Sequence, residues 1–212
     1  HGKLCIMTFK YPLAESSWDG AEIKALQNVI ESNQFTMGTK VKEFEYNFAK
    51  YFGTKHAVMV NSGSSANLLM VAALRLSEDS NLRLNAGDEV IVPAISWSTT
   101  YSPLQQYGLS LKFVDVDLFT LNYDPEILES AISSKTKAIM VVNLLGNPND
   151  FDQIKRLADN SGIILLEDNC ESMGAKFKGQ FAGTFGVSGT FSFFYSHHIS
   201  TMEGGMVVTD NA

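Results

Sequence analysis

The chain has 212 residues, 45% hydrophobic and 18% charged, enough apolar material for one large domain and for a second only if it is small. A formal net charge of -7 argues against a nucleic-acid or anionic-membrane binder and leaves small molecules or further copies of the chain as expected partners. Cys5 and Cys170 are too few and too far apart for a disulfide scaffold or a zinc site, no apolar run reaches membrane-span length, and a reducing cytoplasm is the expected compartment.

Residues 1–9 lack the charged, apolar and small-residue order of a signal peptide and read as a leader or cloning remnant, so the expected domain is 10–212. Two helices open it. One covers 21–32 after the possible caps Ser17 and Asp19; the other covers 40–51, where Val41, Phe44 and Phe48 share a face before Gly53. Strands follow at 56–60, 89–92, 111–114, 138–142 and 163–166, with helices at 64–76, 100–107, 125–133 and 151–160 between them. Two more strands are expected at 189–194 and 206–209, after which the chain stops without a closing helix. Alternation punctuated by Gly, Pro, Asn and Asp predicts an α/β three-layer sandwich, βα units around a mostly parallel sheet.

Four stretches carry residues suited to chemistry. In "VNSGSSANLL" a strand enters Asn61-Ser-Gly-Ser-Ser65 and leaves as a helix. Gly63, Ser64 and Ser65 therefore sit at a helix N-terminus, where unpaired N–H groups, the helix dipole and hydroxyls would cradle a phosphate, or where the serines simply cap the helix. In "IVPAISWSTT" Trp97 follows a buried strand, at the carboxyl end where parallel sheets open to ligands, and its indole could stack on a flat ring.

The apolar run 163–166 ends in Glu167-Asp168-Asn169, with Glu171 close behind. An aspartate at that point could hold a pyridine nitrogen protonated and so make the ring an electron sink; equally, Asp168 and Glu171 could cap a following helix. In "SFFYSHHISTMEGG" His197 and His198 stand between Ser192 and Gly204-Gly205. Imidazole titrates near neutrality and can serve as general base and acid. A metal pair is disfavoured, because neighbours on a strand face opposite ways and no third ligand is spaced nearby.

Taken in order, "NSGSSANL", "PAISWSTT", "LLEDNCESMGA" and "SFFYSHHISTMEGG" resemble the cofactor motifs of the DegT/DnrJ/EryC1/StrS sugar aminotransferase family, over residues 11–209. The resemblance implies the large domain of the aspartate aminotransferase fold, PLP fold type I, with a small C-terminal domain absent here. Carried over by position, it makes Gly63 and Ser64 part of a phosphate cup, Trp97 the ring stacked on the pyridine, Asp168 the partner of the ring nitrogen and Ser192 a further phosphate contact. Most members then read Ser-Phe-x-x-Thr-Lys, and the lysine holds pyridoxal 5'-phosphate covalently. Here the matching residue is His197.

A small branch of the family shares this exchange, the 3-dehydratases that make 3,6-dideoxysugars. The resemblance to that branch implies non-covalent pyridoxal or pyridoxamine 5'-phosphate and a nucleotide-linked 4-keto-6-deoxyhexose as substrate, GDP-4-keto-6-deoxymannose above others. It also implies glutamate as amino donor and a homodimer with a shared active site. His197 becomes the catalytic base and acid. Glu171, where many family aminotransferases carry Gln, joins it as a catalytic and cofactor-side residue. His198 is expected to be structural, Met202 and Glu203 loop packing, and Cys170 unreactive. Rival expectations are a nucleotide-sugar aminotransferase-like member of the family, a CDP-sugar 3-dehydrase, whose iron–sulfur cluster would need more thiolates than two, and a PLP-binding scaffold without turnover. Without the C-terminal domain, the chain is expected to be inactive by itself.

Overall fold

The computed structural model describes residue 11 and residues 14–211; the expected leader and Cys5 lie outside the described residues. Helix α1, Gly20–Ser32, begins with a capping box in which Asp19 accepts the amide of Ala21 at 2.6 Å and Glu22 accepts that of Asp19 at 2.7 Å. Asp19, not Ser17, is therefore the cap. Helix α2, Thr39–Phe52, ends at Gly53 in the left-handed region that glycine adopts without strain.

The remainder alternates. Strand β1 (His56–Val60) leads into α3 (Gly63–Leu76), β2 (Glu89–Pro93) into α4 (Ser98–Gln106), and β3 (Ser110–Val114) into α5 (Pro125–Ala131). Strand β4 (Thr136–Val142) is followed by a single 3-10 turn and α6 (Phe151–Ser161), then by β5 (Ile164–Asp168). A small hairpin, β6 (Lys176–Phe177) and β7 (Gln180–Phe181), precedes β8 (Ser188–Ser192) and β9 (Gly205–Thr209).

Seven strands form one sheet in the order β1-β9-β8-β5-β4-β2-β3. Strand β9 runs antiparallel to both β1 and β8, while β2, β3, β4, β5 and β8 pair in parallel. Alternate residues of the central strands supply opposite faces: Val90, Val92, Met140 and Leu166 pack with Ala66, Met70 and Leu104 of α3 and α4. Ile91, Ile139, Val141 and Leu165 pack with Leu128 of α5 and Phe151 and Ile154 of α6. That places helices on both sides of the sheet, as expected for three layers. Phe48 and Phe52 of α2 close the β8–β9 end in an aromatic cluster, with Phe52 and Phe191 centred 4.7 Å apart.

Three local expectations are corrected. Strand β5 does not stop at Leu166 but continues through Glu167 and Asp168, because backbone amides of a distant loop receive the buried Glu167 carboxylate. The short β6–β7 hairpin, built on the left-handed pair Lys178-Gly179, was not expected. The last parallel strand ends at Ser192, so His197 and His198 lie in a turn in which the His197 amide donates to Phe194 O at 2.9 Å. Strand alternation therefore does not separate the two imidazoles.

Candidate active site

The carboxyl ends of β2, β4, β5 and β8 and the N-termini of α3 and α4 surround a cavity of about 620 Å³. Ser62 caps α3 by accepting the Ser65 amide at 3.1 Å, and its hydroxyl donates to Ser65 Oγ at 3.1 Å. Ser62, Gly63 and Ser64 line the cavity, whereas Ser65 does not, its amide and hydroxyl both being turned to the cap. Ser65 thus takes part in the cap, and its hydroxyl, an acceptor there, keeps its own proton. A Cβ on Gly63 would lie 2.6 Å from Ser192 Cβ and 2.8 Å from Cys170 Sγ. Glycine at this point lets the end of β8 close against α3, so that Ser64 and Ser192 flank the same opening.

Trp97 is the N-cap residue of α4 and lines the opposite wall, 73% exposed. Asp168 closes β5 with 5% exposure. Its Oδ2 accepts Asn67 Nδ2 at 2.9 Å and Thr100 Oγ1 at 2.8 Å, and its Oδ1 accepts the Cys170 amide at 3.2 Å. No helix follows Asp168 before β6, so neither it nor Glu171 is a helix cap. Glu171 lines the cavity and accepts the Leu145 amide at 3.2 Å, tying down the turn after β4, where Leu145 sits at φ 52.

His197 is half-buried on the cavity wall and His198 is exposed outside it. Burial pushes the His197 imidazole below its ordinary value; Glu171 pulls it back up, His198 pushes it down again, and Asp168 raises it. His198 thus acts on its neighbour through charge. Cys170 also lines the cavity, but burial, reinforced by Asp168, pushes its thiol well above the ordinary value, and a thiol so held is a poor nucleophile. Glu203, expected as loop packing, faces the cavity instead. Among the described residues no lysine or arginine lines the cavity, and no group of three or more His, Cys, Asp or Glu could hold a metal ion. No described helix is long and apolar enough to cross a membrane.

The cavity brings together Gly63, Ser64, Trp97, Asp168, Glu171, Ser192 and His197 from four separate stretches of sequence. Sequence reasoning missed Asn67 and Thr100, the side chains that hold Asp168, and Ser62, Ser96 and Glu203 on the wall. Asn67 had a legible signal: it shares the buried face of α3 with Ala66, Met70, Val71 and Leu74, and a polar residue on such a face needs a partner.

A doubly covered, mostly parallel sheet with its cavity at the strands' carboxyl ends and an aspartate on a central strand defines an α/β chain of the aminotransferase type. A sequence model described as the DegT/DnrJ/EryC1/StrS aminotransferase family matches residues 17–212, and the chain belongs to that family. It is 63% identical over 201 residues to GDP-4-keto-6-deoxy-D-mannose 3-dehydratase of Escherichia coli O55:H7 (strain CB9615 / EPEC), covering 95% of this chain and 51% of that protein. Two solved structures superpose with a TM-score of 0.92 at 62% identity, each over 95% of this chain and 52% of the other. They are a GDP-4-keto-6-deoxymannose-3-dehydratase variant with bound GDP-perosamine and the same dehydratase with a trapped PLP-glutamate geminal diamine. The fold expected from the resemblance, the large domain of PLP fold type I, is the fold observed. The chain spans about half the length of the curated relatives it matches.

Proposed function

We propose that this chain forms the cofactor-binding part of an enzyme that removes the C3 hydroxyl of a nucleotide-linked 4-keto-6-deoxyhexose, GDP-4-keto-6-deoxymannose in the first instance, using non-covalent pyridoxamine 5'-phosphate. The observation that carries the reading is a cavity with Asp168 and His197 on its wall and, among the described residues, no lysine, in a chain 63% identical to a named 3-dehydratase. The residues fit the cofactor. The glycine cradle between Ser64 and Ser192 suits a phosphate at the N-terminus of α3, Trp97 offers an indole face, and Asp168 is a nearly buried carboxylate whose hydrogen-bond donors among the described residues are uncharged. When bound, the cofactor supplies an amine for the C4 ketone and a conjugated ring that takes up an electron pair.

The chain's own groups then have separable tasks. Asp168 holds the ring nitrogen's proton. His197, its imidazole favoured in the neutral form by burial, accepts a carbon-bound proton at a ring nitrogen and returns one to the departing C3 hydroxyl. Glu171 favours the imidazolium that forms between these events. Overall, the sugar loses one oxygen atom and ammonia is released, and glutamate restores the amine as it becomes a keto acid. Leu69 and Leu76, two turns apart and exposed on α3, offer an apolar face to a second copy, consistent with a homodimer. The same reading assigns the protein to the cytoplasm.

The test is to load the protein with pyridoxamine 5'-phosphate and add GDP-4-keto-6-deoxymannose. Ammonia and a sugar nucleotide lighter by one oxygen atom are expected. A 4-amino sugar without ammonia would make the protein an aminotransferase and refute the proposal. His197→Lys should abolish ammonia release and yield a borohydride-reducible covalent adduct with pyridoxal 5'-phosphate; such an adduct in the parent protein would equally refute it.

A further inference from the structure

Asp168 is the last residue of a central strand, 5% exposed, and among the described residues no cationic side chain is a hydrogen-bond partner of it. A nearly buried carboxylate without a counter-cation is costly unless its lone pairs are filled by donors. Two donors converge on Oδ2, the Asn67 amide at 2.9 Å and the Thr100 hydroxyl at 2.8 Å, while among the described residues Oδ1 accepts the Cys170 amide alone, at 3.2 Å. A carboxylate oxygen has two lone-pair sites, so Oδ2 is filled and Oδ1 keeps one site.

The two donors are themselves fixed. Thr190 Oγ1 donates to Asn67 Oδ1 at 2.6 Å, which turns the amide so that its N–H faces Asp168; a flipped amide would set oxygen against carboxylate. Thr100 spends its single proton on Asp168, so the 2.7 Å contact between Ser96 Oγ and Thr100 Oγ1 must be donated by Ser96. Both relays therefore end on the same oxygen, and both start from uncharged groups.

Their positions on the helices tie them to the rest of the site. Asn67 follows Gly63 by four residues on α3, and Thr100 follows Trp97 by three at the start of α4. Residues at those spacings share a helix face. Each helix thus presents its N-terminus to the cavity and, one turn further in, a donor to Asp168.

We propose that Asn67 and Thr100 are positioning residues that clamp Oδ2 of Asp168, leave Oδ1 as the acceptor facing the cavity, and thereby keep the nitrogen of a bound heteroaromatic ring protonated. The inference rests on the cofactor reading above and goes beyond it, since it gives both residues a role exerted through Asp168. Supplying only neutral donors to Asp168 leaves the positive charge to be brought by the ligand, which selects for a protonated pyridine over a neutral ring. Were a lysine or arginine in their place, the carboxylate would already be paired and the ring nitrogen would gain less from it.

The experiment follows the ring nitrogen directly. The protein is loaded with pyridoxal 5'-phosphate labelled with nitrogen-15 in the ring, and the nitrogen chemical shift is recorded against pH, together with the dissociation constant from equilibrium dialysis. Thr100→Val keeps shape and removes the hydroxyl, Asn67→Leu keeps approximate shape and removes the amide, and Thr100→Ser restores the donor. Each removal is expected to move the ring nitrogen's deprotonation down by about one pH unit, a tenfold change in its proton equilibrium, and to weaken binding in the same sense. Thr100→Ser is expected to titrate like the parent. Variants that bind the cofactor with an unshifted nitrogen titration would overturn the clamp while leaving the functional reading intact. A parent protein that binds no pyridoxal 5'-phosphate would overturn both. Should Asn67→Leu fail to fold, the Thr100 pair decides the question alone.

Discussion

Glu167, one residue before Asp168, offers a sharp test of how the site is anchored. Its side chain is completely buried; Oε2 accepts the Gly183 amide at 2.6 Å, and Oε1 accepts those of Phe185 and Gly186 at 2.6 and 2.8 Å. Burial pushes the carboxyl from its ordinary 4.5 up to about 7, against the pull of those amides. Since the folded protein holds this proton to a higher pH than the unfolded chain, stability falls as pH rises from about 4.5 to about 7. The shift amounts to about 3 kcal/mol, at about 1.4 kcal/mol per pH unit. Glu167→Gln cannot titrate. Its amide oxygen can serve Phe185 and Gly186, but its NH2 then meets the Gly183 N–H, at a cost of about 1–3 kcal/mol. Urea unfolding of both proteins at pH 5 and pH 8 should find the variant weaker at pH 5 and the gap closed or reversed at pH 8. A gap that widens with pH would refute the reasoning, because the three amides would then outweigh burial and hold the folded carboxyl below its ordinary value.

The remaining predictions concern the cavity. Burial lowers His197, so the acid limb of kcat/KM should lie below pH 6.5; a limb above pH 7 that persists in His197→Asn would assign it to another group. Gly205→Ala places a Cβ 2.2 Å from Ser62 O and 2.8 Å from the Gly63 amide, both backbone atoms unable to turn aside. A loss of at least about 2 kcal/mol is expected in urea unfolding, and a loss below about 0.5 kcal/mol would show that the β9–α3 junction yields. Trp97→Ala removes an exposed side chain, so stability should change by less than about 0.5 kcal/mol while pyridoxal 5'-phosphate binding weakens at least tenfold by dialysis. Equal affinity would remove Trp97 from the site.

What the sequence disclosed, and what it withheld, divides along physical lines. Helix α2 was legible because Val41, Phe44 and Phe48 recur at helical spacing and Gly53 ends it, and those same phenylalanines pack on Phe191 and Phe193. The central strands were legible from their unbroken apolar runs, since both their faces are covered. Glu167 was not, because a charge ends an apolar run in sequence, and the amides that accommodate it lie 16 to 19 residues away. The strands β6 and β7, two residues each, are too short for any period to show. Thr100 escaped for a related reason: it reads as an ordinary helix residue until β5, 68 residues distant, brings Asp168 beside it, whereas Asn67 on the buried face of α3 called for a partner that its own segment could not name.

The opening that His197 lines has Asp168, Glu171 and Glu203 on its wall and, among the described residues, no lysine or arginine. A phosphate held there would meet backbone and hydroxyl donors at the start of α3 and the positive end of that helix, which are neutral groups and leave the charges near His197 unchanged. Two opposed influences then set the imidazole. Burial and His198 favour the neutral base; Glu171 and Asp168 favour the cation. A lysine at this position would compete for the cofactor aldehyde through its amine, whereas an imidazole cannot. Held between burial and carboxylates, it can take a proton and give one back within a single turnover, which a group driven firmly to either state could not do. The acidity of the wall is therefore as much a part of the proposed chemistry as the histidine itself.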